Sequence, residues 1–204
     1  MRLSLYLAAG LAFFSTAAFA DDLQAVAPAP TNGPTATIET SLGTIIVALD
    51  AVHAPATVAN FVRYAREGHF DGTVFYRVEP GFVIQAGSYL PDGSFKGGIH
   101  AAIPLEANNG LHNLYGAIAM ARGDDPASAD AEFFIDLADN TGALDPAPGD
   151  MANKTGYAVF GVVASGMDVL SAIAAVPLGG KGPFPPTSTP ATPVVITKVT
   201  ISGN

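Results

Sequence analysis

Val74-Phe75-Tyr76-Arg77-Val78-Glu79-Pro80-Gly81-Phe82-Val83-Ile84-Gln85-Ala86-Gly87 contains two runs of β-forming residues separated by a Pro-Gly pair. Branched and aromatic side chains favour extended backbone, and Pro-Gly favours a reversal. The stretch therefore predicts a strand, a turn and a returning strand. Period-2 alternation over Phe82 to Ala86 places Val83 and Gln85 on one face, with Phe82 and Ile84 on the other. The face that Arg77 joins depends on the turn, which the residue pattern leaves open. On these residues alone, a solvated surface hairpin explains Arg77 and Gln85 as well as a functional site does.

Upstream, Thr35–Thr40 and Thr44–Leu49 are β-rich runs around Ser41-Leu42-Gly43, which predicts a hairpin. Pro55 suits the first turn of a helix, and Val58, Phe61, Val62 and Ala65 follow at helical spacing until about Gly68. Downstream, residues 91–113 form a Gly-rich loop around Ile103-Pro104-Leu105. Residues 116–121 and 132–137 read as strands joined by a polar loop in which Asp124 and Asp125 are turn residues. Residues 138–156 form a second loop, of a length that is often functional. A strand over 157–163, a short apolar helix over 166–176, a Gly/Pro loop and a last strand over 194–201 complete the chain. Eight short strands with hairpin connections predict a mainly β, largely antiparallel sheet, and eight is a number that closes into a side-chain-filled barrel. The two helices are expected to plug it.

The 204 residues suffice for one domain with its own core. Met1-Arg2, an apolar run from Leu5 to Phe14 and Ala18-Phe19-Ala20 before Asp21 form the pattern of a cleavable secretory signal, residues 1–20. Its uncharged stretch is only marginally long enough to span a bilayer, so export to the periplasm is expected, with no membrane insertion after cleavage. The other reading is an uncleaved N-terminus that tethers a structural protein to the envelope. Residues 21–34 are Ala- and Pro-rich and read as a flexible tether, which leaves residues 35–204 as the domain.

Removing Arg2 from the nine Lys and Arg leaves eight against eighteen Asp and Glu, a charge near −10. Such a surface does not suit phosphate neutralisation, so no nucleic acid is expected as partner. There is no cysteine, hence no disulfide and no thiolate nucleophile or metal ligand. His53, His69, His100 and His112 lie at no metal-ligand spacing and are expected to have no special role, so neither metal nor cofactor is expected. No nucleophile elbow or phosphate loop occurs. A monomer is expected, since no heptad pattern or apolar stripe is evident.

The order of motifs resembles the cyclophilin peptidyl-prolyl isomerases. The resemblance is carried by Phe75-Tyr76-Arg77-x-x-Pro80-Gly81-Phe82-Val83-x-Gln85-x-Gly87, then Gly116-x-Ile118-Ala119-Met120-Ala121, then Glu132-Phe133-Phe134-Ile135, then Leu144-Asp145, and finally Tyr157-Ala158-Val159-Phe160-Gly161. It spans about Thr35 to Ile201. It implies an eight-stranded antiparallel barrel with a helix at each end, acting on Pro-containing polypeptides. It further implies that Arg77 is the catalytic arginine and that Gln85 lies beside the reacting peptide bond. Phe82, Val83, Phe134 and Leu144 would wall a proline pocket, and Ala121 and Arg122 would form the rim along which substrate backbone lies. Tyr157 stands where many members carry a pocket histidine. Three departures accompany the match: Val83 for a common methionine, Glu132 for a common glutamine, and Ala143 where many eukaryotic members place a cyclosporin-binding tryptophan. Tyr157 and the missing tryptophan resemble the bacterial exported branch and imply weak cyclosporin sensitivity. The altered pocket also leaves open a module that holds proline segments without useful turnover.

Overall fold

A computed structural model describes residues 33–147 and 155–203. The expected signal peptide, and the tether as far as residue 32, lie outside the described residues. Nine strands form one antiparallel sheet: β1 (Thr35–Thr40), β2 (Gly43–Leu49), β3 (Val74–Phe75), β4 (Arg77–Glu79), β5 (Val83–Ala86), β6 (Ala117–Met120), β7 (Phe133–Asp136), β8 (Val159–Ser165) and β9 (Val194–Ser202). Their order is β3-β9-β1-β2-β8-β6-β7-β5-β4. The end strands β3 and β4 are consecutive in sequence, so the sheet curls round until its two edges are joined by one residue, Tyr76. That residue also closes the gap, since its N–H donates to Gln85 O at 3.1 Å.

The expected count of eight strands becomes nine for this reason. The Val74–Glu79 run is a single extended segment, but Val74 and Phe75 pair with β9 while Arg77 to Glu79 pair with β5. Pro80-Gly81 makes the expected reversal. Phe82 N–H donates to Glu79 O at 2.9 Å, and Gly81 takes φ 75°, a backbone state that a side chain resists.

Helices α1 (Pro55–Arg66) and α3 (Met167–Ala174) close the barrel, and α2 (Thr141–Leu144) is a single turn within the loop expected over 138–156. Among the described residues the helix count is therefore three rather than two, because four residues are too few to show periodicity. In α1 the apolar positions Val58, Phe61 and Ala65 face inward, together with Tyr64. Val169, Leu170 and Ile173 do the same for α3. They meet the inward residues of the strands in one core, where Phe61 packs on Phe70, Phe133 and Phe160 at ring distances of 5.0, 5.5 and 5.3 Å. Burying each such ring contributes roughly 1.5–3 kcal/mol relative to leaving it exposed.

Among the histidines, His69 is buried, with Nε2 3.1 Å from Gly87 O. Among the described residues, no helix is long and apolar enough to cross a membrane.

Candidate active site

The ladders place residues in rows across the sheet. Val78 pairs with Ile84, Ile84 with Ile135 and Ile135 with Ile118. All four are fully buried and belong to the barrel core. One residue along, Arg77 pairs with Gln85, Gln85 with Phe134 and Phe134 with Ala119. Alternation turns this second row to the outer face of the same four strands. There Val83, Ala117, Ala119, Ala121, Phe134, Leu144 and Val159 form a second apolar cluster, separate from the core, with Phe82 and Tyr157 packed against it. The barrel thus carries a site on its outside wall.

Val83 and Gln85 share this outer face, as alternation requires. Phe82 does not join Ile84 on the inner face, contrary to expectation. It belongs to the turn rather than to β5, and its carbonyl is held by Leu137 N–H and Asn140 Nδ2, both at 2.8 Å. Those two bonds swing its ring over the outer cluster.

A cavity of about 310 Å³ opens here, lined by Arg77, Phe82, Val83, Gln85, Ala121, Arg122, Phe134, Leu144, Tyr157 and Phe184. All nine residues singled out in the sequence converge on it. Phe184 is the addition. It lies in the Gly/Pro loop before β9, and the one signal for it was an aromatic ring set among prolines with no periodic partner.

Arg77 stands between two rings, with its guanidinium carbon 5.1 Å from the Phe184 centroid and 5.8 Å from that of Phe82. Its Nη1 donates to Gln85 Oε1 at 3.3 Å and its Nε to Glu79 Oε1 at 3.4 Å. Glu79 in turn accepts from Ser188 Oγ at 2.6 Å. Both Arg77 bonds are long, so they orient the guanidinium without saturating its donors.

Arg122 is held more firmly. Nε, Nη1 and Nη2 donate to Gly156 O, Gly123 O and Thr155 Oγ1 at 3.0, 2.9 and 2.8 Å. Its guanidinium lies 4.8 Å from the Tyr157 ring centre, and that ring meets Phe134 edge-on at 5.5 Å. Gly156 makes the approach possible: φ is 59°, and a Cβ there would lie 2.5 Å from Pro146 N. Strand β8 starts at Val159, two residues later than expected, which leaves Tyr157 outside the ladder and on the rim.

Behind the row sits Glu132, packed against Tyr76, Gln85 and Ser88. Burial pushes its carboxyl above the usual range, while the polar groups of Tyr76, Ser88 and Gln85 that face it oppose the shift. The buried Tyr76 hydroxyl and Ser88 Oγ close no bond within ordinary distance, so they surround the carboxyl loosely.

The arrangement offers a fixed cation beside an apolar slot. It can hold a small ring and stabilise a developing lone pair, with no nucleophile needed.

The comparisons with known proteins agree with this geometry. The family described as "Cyclophilin type peptidyl-prolyl cis-trans isomerase/CLD" matches residues 35–201. Over 169 residues the chain is 44% identical to peptidyl-prolyl cis-trans isomerase cyp18 of Streptomyces antibioticus, covering 83% of this chain and 99% of that protein. It is 40% identical over 166 residues to isomerase B of Escherichia coli, covering 81% and 98%. A crystal structure of a cyclophilin-type isomerase from Cryptosporidium parvum, obtained in the presence of the dipeptide Ala-Pro, superposes with a TM-score of 0.68 at 22% identity, covering 83% and 99%. That likeness bears on the fold, while the matches in sequence reach the residues of the outer wall. The chain belongs to the cyclophilin-type peptidyl-prolyl cis-trans isomerases.

Proposed function

We propose that this isomerase acts by stabilising the twisted Xaa-Pro bond without covalent chemistry, with the proline ring seated among Phe82, Val83, Phe134 and Leu144. The observation that carries the mechanism is the Arg77 guanidinium, steered by Gln85 at the mouth of an apolar cavity. Resonance gives the prolyl bond its barrier of about 18–20 kcal/mol. Twisting breaks that resonance and leaves a lone pair on the prolyl nitrogen, which a guanidinium N–H can meet. The planar ground states offer no such acceptor, so the bond strengthens only in the transition state. A donor of this kind supplies about 2.7–4 kcal/mol. Holding the ring while the other side of the bond turns supplies more, by fixing orientation.

The substrates in this reading are unfolded or folding exported chains in the periplasm, met by a monomer. The N-terminal pattern at residues 1–20 supports that location, and the acidic balance supports a soluble exported domain without nucleic acid. Cyclosporin binds weakly in this account, since Ala143 offers no indole; inhibition at nanomolar concentration would contradict it.

Val83 is shorter than the family's common methionine, which favours a second reading: capture of proline segments without useful turnover. Isomerisation of a short Xaa-Pro peptide by the mature protein separates the two. Acceleration in proportion to enzyme concentration is expected. Saturable binding with no acceleration would make the protein a holding module.

A further inference from the structure

Two walls of the proline pocket lead back to one buried amide. Asn140 Nδ2 donates to Phe82 O at 2.8 Å and to Asp136 Oδ1 at 2.6 Å, so both of its hydrogens are engaged. The Asn140 carbonyl accepts from Ala143 N–H and Leu144 N–H at 2.9 and 2.8 Å, which starts the turn that carries Leu144. Asparagine is favoured at such a position because its side chain caps the helix. Here that side chain makes no cap bond, and Asp139 Oδ1 accepts from Thr141 N–H instead. The Asn140 amide thus serves Phe82 and Asp136 and not its own helix.

The same residue is tied to the far side of Leu144. Asn140 N–H donates to Asn113 O at 2.8 Å, and Asn113 N–H and Nδ2 donate to Asp145 Oδ1 at 2.9 and 2.8 Å. Asp136, Asn140 and Asn113 are 0%, 6% and 0% exposed. Asp136 Oδ2 and Asn113 Oδ1 have no hydrogen-bond partner among the described residues, and leaving a buried oxygen unpaired costs about 1–3 kcal/mol. Strand β7 is otherwise apolar, Phe133-Phe134-Ile135, and an apolar residue at its end would avoid that cost. Stability of the barrel alone does not account for this polar hub.

We propose that Asn140 and Asp136 are positioning residues for the isomerisation: their shared hydrogen bond fixes the Phe82 backbone and the turn bearing Leu144, and so sets the width of the slot that receives the proline ring. This rests on the seating of the ring proposed above. Asp136 is the group whose charge can release the hold. Asp139 and Asp145 face it from the loop and from the end of α2, and His112 Nδ1 lies 2.6 Å from Asp145 Oδ2. The neighbours it meets across the sheet, Val83 and Gly116, carry no charge. As a neutral acid, Asp136 tolerates burial with the one amide donor. Once ionised beside two like charges, it draws water towards its open oxygen, and the grip of Asn140 on Phe82 O loosens.

The test measures KM and kcat separately for a blocked Xaa-Pro peptide without ionisable side chains, between pH 6 and pH 9. It uses the protein and its Asn140→Ala, Asp136→Asn and Phe82→Ala variants. At pH 6, Asn140→Ala is expected to raise KM roughly threefold to tenfold, the value of one hydrogen bond, with kcat within about twofold. A merely structural role would lower apparent kcat through lost folded protein and leave KM at its wild-type value; that result overturns the proposal. Wild-type KM should rise by a similar factor as pH passes about 8, whereas Asp136→Asn should hold its KM level across the range. A flat wild-type profile, or an equal rise in Asp136→Asn, also overturns the proposal, and this comparison stands even where Asn140→Ala does not fold. Phe82→Ala separates the underlying reading. An unchanged KM in that variant removes the seat of the ring and the positioning role with it. A raised KM there, beside a wild-type KM in Asn140→Ala, removes the positioning role alone.

Discussion

Glu132 stands behind the row proposed for catalysis, where burial raises its pKa. Gln85 Oε1 accepts from Arg77 Nη1, so the Gln85 NH2 is the group left to face the neighbouring Glu132 carboxylate, which only accepts hydrogen bonds. Tyr76, Tyr89 and Asp130 are the other titratable groups around it, and the Asp130 charge adds to the rise caused by burial. With its pKa raised, Glu132 is neutral below that value and ionised above it. Protonation removes the constraint on Gln85, so kcat/KM is expected to fall on acidification with a midpoint above 4.5. In a pH–rate profile, Glu132→Gln should lose that acid limb; an unchanged limb would show that another group sets it. Phe184 acts on Arg77 from the other side. Phe184→Ala should lower kcat/KM about twofold to thirtyfold, the value of one cation–π contact, and stopped-flow assays on a short peptide would detect it. Arg77 and Gln85 were singled out by the resemblance of their motif, since the hairpin pattern alone left a solvated surface equally open. Phe184 was not, because it reaches the site through a loop without period, more than a hundred residues later.

At the scale of elements, ends and edges depend on distant partners. The residue before α1 is Ala54, which has no capping side chain. Glu106 performs that task from a remote loop: Oε1 accepts from Ala56 N–H at 3.1 Å, and Oε2 from Thr57 N–H and Thr57 Oγ1 at 2.8 and 2.7 Å. Glu106→Ala should therefore cost about 1–2 kcal/mol in urea unfolding, and no loss would refute the cap. The helix itself was readable from Pro55 and its apolar spacing, whereas its cap was not, lying fifty residues away. Asp136, at the end of β7, is fully buried and accepts from Asn140 Nδ2 at 2.6 Å, while its second oxygen has no bonding partner among the described residues. Burial pushes its pKa up to about 8, with the Asp145 and Asp139 charges adding to the rise. A raised folded-state pKa means that its stabilising effect is complete below about 3.8 and is lost as pH rises towards 8. Thermal melts at pH 5 and pH 9 should show this loss, and Asp136→Asn should shrink the difference by removing the charge. An equal difference in the variant would assign the pH dependence elsewhere.

The whole molecule has an interior that holds the barrel together and an outer wall that carries the proposed site, and adjacent residues separate the two. Phe133 points into the core, packed on Phe61 and Phe70, and Phe134 points into the outer cluster. Phe133→Ala should cost about 3–5 kcal/mol of stability. Phe134→Ala should leave the barrel folded and raise KM for proline peptides at least tenfold. Urea titration and peptide kinetics on the pair check both, and matching stability losses with unchanged KM would mean that the outer cluster is only a second core. Strand positions were readable from runs of β-forming residues between turn signals, and the antiparallel sheet from their short connections. The way the barrel closes was not: splitting one run at Tyr76 between β9 and β5 is a property of the curled sheet and leaves no mark on the local pattern.

The central claim is that Arg77 stabilises the twisted bond rather than merely binding substrate. NMR exchange on a short Xaa-Pro peptide, with the protein and its Arg77→Ala variant, reads isomerisation rate and affinity together. The account predicts a loss of about a hundredfold to a thousandfold in rate, with affinity changed by less than tenfold. A variant that isomerises the bound peptide within threefold of the wild-type rate would contradict it.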